Sequence, residues 1–261
     1  MSHTYHTVDK ELGDVVRSVI VIDSSGGNQS TNLPLVTSAL PVLIFTLEFK
    51  GEFVSGISEM TLYPESCPET KWKIKGRKKL IAFFFQPFTI SALFNISISK
   101  LKQKGTSLEI ANSHVCNSLK TQILSSKNIP ETLDAISHFL LFFQKKNRKT
   151  IEVIHKATDA FVLHPEEDSM SDILHELKIS ERTLQRMFKK HIGITPTYFR
   201  RICQYKKSFS QLKGERFEKI SDVAFENGYA DQSHFNRAFR EFSSVTPLDY
   251  LRFGLNTKKS K

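Results

Sequence analysis

The sequence predicts an α+β protein, with a strand-rich front part followed by an all-α part of two helix-turn-helix units joined by a long helix. Three observations carry this. Apolar runs rich in β-branched and aromatic residues are confined to roughly residues 10–110. From residue 114 onward apolar side chains recur at helical steps instead. In the last third one pattern occurs twice, offset by 51 residues: Leu184 pairs with Phe235, Arg186 with Arg237, Phe188 with Phe239 and Pro196 with Pro247.

In the front part, residues 15–22, 41–49 and 80–85 are runs bounded by Gly, Pro, Ser and Asn, which is how strands are punctuated. Pro87 stands where a strand gives way to a short helix over 89–94. A helix follows over about 114–125. Another begins near Pro130 and carries Leu133, Ile136, Leu140 and Phe143 at helical spacing. Gln144-Lys145-Lys146-Asn147-Arg148-Lys149 is polar, charged and without an apolar stripe, so it reads as a boundary. This predicts a front domain at 1–144, a linker at 145–150, a helical domain at 151–254 and a basic tail at 255–261.

The helical domain opens with Ile151, Ile154, Ala157 and Phe161 on one face. Ser169-Met170-Ser171-Asp172 reads as a capping box before Ile173, Leu174 and Leu177. Ser180 caps the next helix, whose buried stripe is Leu184, Met187 and Phe188 and which Gly193 ends. Tyr198, Ile202, Tyr205, Phe209 and Leu212 recur at steps of 4, 3, 4 and 3, the pattern of one long helix able to hold two small bundles apart. Ile220, Val223 and Ala224, a turn at Gly228-Tyr229, and then Phe235, Ala238, Phe239 and Phe242 repeat the scheme.

Charge is uneven. The whole chain carries a net +10, residues 1–144 hold 14 Lys/Arg against 12 Asp/Glu, and residues 180–261 hold 17 against 8. Localised positive charge is what a phosphate backbone attracts. Cys67, Cys116 and Cys203 are far apart, with neither zinc-ligand nor redox spacing nor an even count for a disulfide framework. The polar opening MSHTYHTVDKELGD predicts no signal peptide. Apolar runs such as 80–85 are too short to span a bilayer. The expected setting is therefore cytoplasmic, with no membrane partner.

In each unit the apolar stripe fixes which face of the second helix is free. On the first that face carries Arg182, Gln185 and Arg186, flanked by Lys189 and Lys190. On the second it carries Gln232, Ser233, Asn236 and Arg237, with Arg240 further along. Arg pairs with guanine and Gln or Asn with adenine, each good pair giving roughly 1–3 kcal/mol of discrimination. Lys189, Lys190 and Arg240 suit phosphates, which position a protein without naming a sequence.

These residues carry a family resemblance. Ser180-x-x-x-Leu184-x-Arg186-x-Phe188-Lys189-Lys190-x-x-Gly193-x-x-Pro196 is followed by Ile220-x-x-Val223-Ala224-x-x-x-Gly228-Tyr229, then by Phe235-x-Arg237-x-Phe239 and Pro247. From about 150 to 253 the chain resembles the DNA-binding module of the AraC-type (AraC/XylS) bacterial transcription regulators. The resemblance implies two recognition helices in successive major grooves on one side of promoter DNA. Its base-reading positions fall on Arg182, Gln185 and Arg186, and on Gln232, Ser233, Asn236 and Arg237. It departs at Ser244, where the family commonly has Gly, and this leaves the end of the second recognition helix open. The first 110 residues resemble, less strongly, the sensor domains that precede this module in some members. That implies a β-barrel or jelly-roll-like domain that binds an effector or dimerises.

Phe45, Phe49, Phe83, Phe84, Phe85 and Phe88 serve either as core, the commoner case, or as the lining of an effector pocket. The stripe of Leu133, Ile136, Leu140 and Phe143 serves either a second copy or its own domain. No metal is expected, since His3 and His6 lie in a polar tail and His114 and His138 on later helices. The expectation is a sequence-specific regulator, an activator by resemblance. Its partners are promoter DNA and RNA polymerase, with a small-molecule effector and a homodimer left open. It needs no cofactor and has no catalytic residue. The alternative is a DNA-modifying or repair enzyme using the helical module as a targeting arm. Isolated cysteines and the loop-like Glu166-Glu167-Asp168 speak against it. An adaptor whose front domain binds another protein is a third reading.

Overall fold

The computed structural model describes residues 2–25, 29–31, 40–50, 53–64, 72–74, 77–102, 105–165, 170–214 and 217–258. Cys67, Glu166, Glu167, Asp168, the capping Ser169 and the last three residues of the basic tail lie outside them. The chain forms two compact units, Met1–His155 with Lys190–Gly193, and Lys156–Lys189 with Ile194–Lys261.

The first unit contains β1 (Ser2–His6), β2 (Val16–Ser25), β3 (Gln29–Thr31), β4 (Val42–Lys50), β5 (Phe53–Tyr63), β6 (Trp72–Ile74) and β7 (Arg77–Phe85). Then come α1 (Thr89–Phe94), β8 (Thr106–Ser107), α2 (Ser113–Ser125) and most of α3 (Ile129–Leu163). One antiparallel sheet runs β1-β2-β7-β4-β5-β8, and β3 pairs with β6. Among the described residues this sheet is open, with β1 and β8 as edges, and is not closed into a barrel. β8 meets β5 through only two residues, too short a ladder to carry the sheet round.

Both sheet faces are buried at the centre, because neighbours along a strand point opposite ways and residues 19–22 of β2, 42–45 of β4 and 80–85 of β7 are apolar at every position. Ile20, Ile22, Val42, Ile44, Leu80, Ala82 and Phe84 share one face. Their neighbours Val19, Val21, Leu43, Phe45, Ile81, Phe83 and Phe85 are also buried. Phe45, Phe83, Phe84 and Phe85 are thus core, whereas Phe49 is half-buried and Phe88 is 36% exposed.

Two parts of this unit differ from expectation. The polar opening is not a tail: β1 pairs with β2 from Ser2↔Asp23 to His6↔Val19. The ladder uses backbone groups, and an edge strand tolerates polar side chains. β5 escapes the apolar-run criterion because it alternates around Ser55, Gly56 and Ser58, with two register shifts against β4.

On α3, Ile136, Leu140 and Phe143 are buried, and Phe143 packs against Phe94 and Phe139 at 5.1 Å each. The stripe serves its own unit. The polar run 144–149 is helical, and only Asn147 departs from helical backbone (φ −111°, ψ 16°) while its Nδ2 donates to Leu93 O at 2.7 Å. Gln, Lys and Arg are good helix formers, so an exposed stretch of them needs no apolar stripe to stay helical. The division between the units falls later, after His155.

The second unit contains α4 (Met170–Leu177), α5 (Glu181–His191), α6 (Pro196–Lys213), α7 (Ile220–Glu226), α8 (Gln232–Ser243) and α9 (Pro247–Lys258). No helix of the described residues is long and apolar enough to cross a membrane.

Candidate nucleic-acid interface

The first helix pair is α4 and α5. Between them Lys178 takes a left-handed conformation (φ 50°), which turns the chain so that Ile179 N reaches Leu174 O at 3.2 Å. Ser180 then caps α5, its Oγ accepting from Thr183 N at 3.3 Å. Leu184 and Phe188 are fully buried. Phe188 meets Phe161 of α3 edge-on at 6.0 Å and Phe199 of α6 at 5.8 Å. With that face committed, Arg182, Gln185, Arg186 and Lys189 are all exposed on the opposite face of α5.

The second pair is α7 and α8. Asn227, wholly buried, stitches their turn to α6: its Nδ2 donates to Gln211 Oε1 at 2.7 Å and its carbonyl accepts from Gln204 Nε2 at 3.2 Å. Gly228 follows at φ 73°, where a side chain would be strained. Asp231 caps α8, accepting from His234 N at 2.7 Å. Phe235, Ala238 and Phe239 are buried with Leu212, Val223, Ala224 and Tyr229. Gln232, Ser233, Arg237 and Arg240 are exposed, and Asn236 is half-buried beside them.

α8 ends at Ser243, and Ser244 closes it in the left-handed region (φ 65°), its N–H bonding Arg240 O at 2.9 Å. Ser244 therefore does what Gly193 does at φ 92° in the first copy. Ser carries the Cβ cost of that conformation. Ser244→Gly is expected to raise stability by up to about 1 kcal/mol, the αL penalty less the added unfolded-state entropy. A chemical-denaturation midpoint that moves down instead would contradict this.

α6 serves both pairs. Thr195 caps it and Pro196 opens it. Phe199 joins the first cluster, and Leu212, Tyr205 and Phe209 the second. The helix is 18 residues long, which is about 27 Å at the usual rise.

The family described as a helix-turn-helix domain matches residues 173–252. Residues 173–252 are a helix-turn-helix domain of the AraC type. Within it the chain is 28% identical over 81 residues to the transcriptional activator RhaR of Yersinia pseudotuberculosis, covering 31% of this chain and 28% of that protein. It is 32% identical over 84 residues to the transcriptional activator RhaS of an Enterobacter species, covering 32% and 30%. The chain thus spans under a third of the length of these relatives, which are named as activators and not as enzymes. Of solved structures, ToxT from Vibrio cholerae is similar over 89% of this chain and 97% of its own, at 16% identity and a TM-score of 0.35.

In the AraC-type domain the 51-residue offset sets α5 on α8 position by position. Arg182 pairs with Ser233, Gln185 with Asn236, Arg186 with Arg237 and Lys189 with Arg240. Asn236, Arg237 and Arg240 line one cleft of about 380 Å³ together with Glu241 and Thr246. Lys190 is placed differently from Lys189: it belongs to the first compact unit, where its Nζ donates to Asn95 Oδ1 at 2.7 Å. Burial and the Lys190 charge hold the adjoining His191 imidazole down at about 4, so it adds no positive charge at neutral pH.

Three residues of the AraC-type domain leave no mark in the apolar pattern. Glu241 pairs with Arg201, whose guanidinium lies over the rings of Tyr198 and Phe242 at 5.9 and 5.8 Å. This clamps α8 to α6. Glu181 accepts from Gln185 Nε2 at 2.9 Å. The repeat holds a signal for all three, since Arg201 falls on Arg252, Glu241 on Lys190 and Glu181 on Gln232, but a free face drawn from apolar residues alone leaves them at the flank. Cys116 and Cys203 are buried, and burial pushes both thiols up, away from the thiolate a nucleophile needs.

Proposed function

We propose that the AraC-type domain binds promoter DNA by sequence and that the chain is a transcription regulator, an activator like its named relatives. The observation that carries this is the matched free face of α5 and α8, each bearing an Arg at the same repeat position and both braced on α6. Arg182, Gln185 and Arg186 read one major groove, and Gln232, Ser233, Asn236 and Arg237 the next. Lys189, Lys190 and Arg240 hold phosphates, Lys190 after leaving Asn95. The two faces differ, so the two halves of the site differ as well. Major grooves on one side recur about every 34–36 Å. A brace of about 27 Å is shorter, so the DNA bends towards the protein or one reader engages loosely.

The first unit is the place for an effector, and RNA polymerase, a second copy and the cytoplasm complete the reading. The enzyme alternative finds no support in Cys116 and Cys203, whose thiols burial keeps protonated.

The test is selection of sites from random duplex DNA by the full chain. Enrichment of an asymmetric site with two unlike blocks about one helical turn apart supports the reading. Binding that is only salt-sensitive, without enrichment in the presence or absence of cell metabolites, would sink it. Lys189→Ala is expected to weaken all sequences alike and to lower the salt slope by about one. A loss confined to one base position would move Lys189 to the reading set.

A further inference from the structure

We propose that Glu181 is a positioning residue that sets the specificity of the first reader by fixing which way the Gln185 amide faces. The proposal rests on the DNA-reading function above and assigns a role to a residue outside its reading set. Glu181 opens α5, and its Oε1 accepts from Gln185 Nε2 at 2.9 Å, one helical turn on. Both side chains are exposed on the helix that carries Arg182, Arg186 and Lys189. Through the 51-residue offset Glu181 falls on Gln232, itself in the reading set.

The chemistry follows from what an amide is. Its nitrogen end donates twice and its oxygen only accepts, yet the two ends have nearly the same shape, so half a turn of the last bond exchanges them. Adenine offers N7 as acceptor and N6–H as donor, side by side, in the major groove. A glutamine meets both with its oxygen and one N–H. Glu181 takes the other N–H. An ionised carboxylate accepts and cannot donate, so the reversed amide would set oxygen against oxygen. The Nε2 end is thereby held towards the start of α5, and the oxygen and second N–H are left for the base. Guanine, with acceptors at both N7 and O6, does not match that pair.

A carboxylate on a DNA-facing helix also repels phosphate, so Glu181 lowers affinity for every sequence. This gives the test a signature that a merely structural residue lacks. Glu181→Ala in the full chain is measured on the selected site, on its single-base variants and on random DNA at fixed salt. Preference at one base position in the first block is expected to fall about three- to tenfold, the worth of one hydrogen bond. Random-DNA affinity is expected to rise at the same time. Glu181→Gln keeps an acceptor and loses the charge, so it should share the rise and retain part of the preference. Gln185→Ala combined with Glu181→Ala should lose no more preference than Gln185→Ala alone. Equal change at all positions, or additive losses in the double variant, would overturn the role of Glu181 while leaving the DNA-reading function intact. If the unaltered chain enriches no site, the function and this inference fall together.

Discussion

Phe239→Ala is expected to lower the unfolding free energy of the helical unit by about 3–5 kcal/mol, the range for deleting a buried aromatic ring. Phe239 is fully buried on α8, with the rings of Tyr205 at 5.4 Å, Phe235 at 5.7 Å, and Phe209 and Tyr250 at 6.1 Å. Three of those partners come from α6 and α9, so the ring joins three helices, and truncating it leaves a cavity that none of them can fill alone. Phe225, 63% exposed on α7, is the control: its Ala variant should stay within about 0.5 kcal/mol of the parent. Urea denaturation of the full chain, followed by far-ultraviolet circular dichroism, measures both. Because the chain has two compact units, a two-step transition is expected, with the step of the helical unit shifting. A shift for Phe239→Ala no larger than that for Phe225→Ala would remove Phe239 from the centre of the cluster.

Arg237→Ala is expected to weaken binding to the selected site by about 1–3 kcal/mol, roughly 5- to 150-fold, and to relax preference at one base position. Arg186→Ala should do the same in the other block. Both side chains are exposed and each stands on a helix whose opposite face is fully buried, so neither change is expected to disturb folding. Arg237 also lines the cleft with Asn236, Arg240, Glu241 and Thr246. A loss from phosphate contact alone would therefore appear equally on random DNA. Titration of labelled duplexes at constant salt separates the two cases. Equal losses on selected and random DNA would assign Arg237 to the backbone and leave the reading to Gln232, Ser233 and Asn236.

Much of the helical unit is legible in its residues alone. Steps of three and four in Leu184, Met187 and Phe188, and again in Phe235, Ala238 and Phe239, are enough to say which face of a helix must be buried. Whatever remains is then free by elimination, and Arg182, Gln185, Arg186 and Arg237 stand out in this way. The front unit is less legible. The apolar runs 15–22, 41–49 and 80–85 stand out and fall on β2, β4 and β7. β1 and β5 do not, because an edge strand and a bulged, half-exposed strand are held by backbone pairing that leaves no apolar trace. The run 144–149 misleads for another reason: its half-buried positions, Gln144 and Asn147, are polar and hydrogen-bonded to Glu11 O and Leu93 O, so it shows no apolar stripe and is helical all the same.

By itself, then, the sequence determined two kinds of thing, local periodicity and its repetition. From these come the two helix pairs, the connecting helix and the basic charge gathered in residues 180–261. Only the tertiary structure decided which partner each side chain takes. Ile136, Leu140 and Phe143 turned inward, Ser244 adopted the conformation of a glycine and Glu241 went to Arg201. The physical reason is range. Burial of an apolar face is repeated every turn and averages over many residues, so it is written into composition and spacing. A hydrogen bond or an ion pair depends on two atoms meeting within about 3 Å, and for Glu241 and Arg201, forty residues apart, that meeting exists only once the helices are packed.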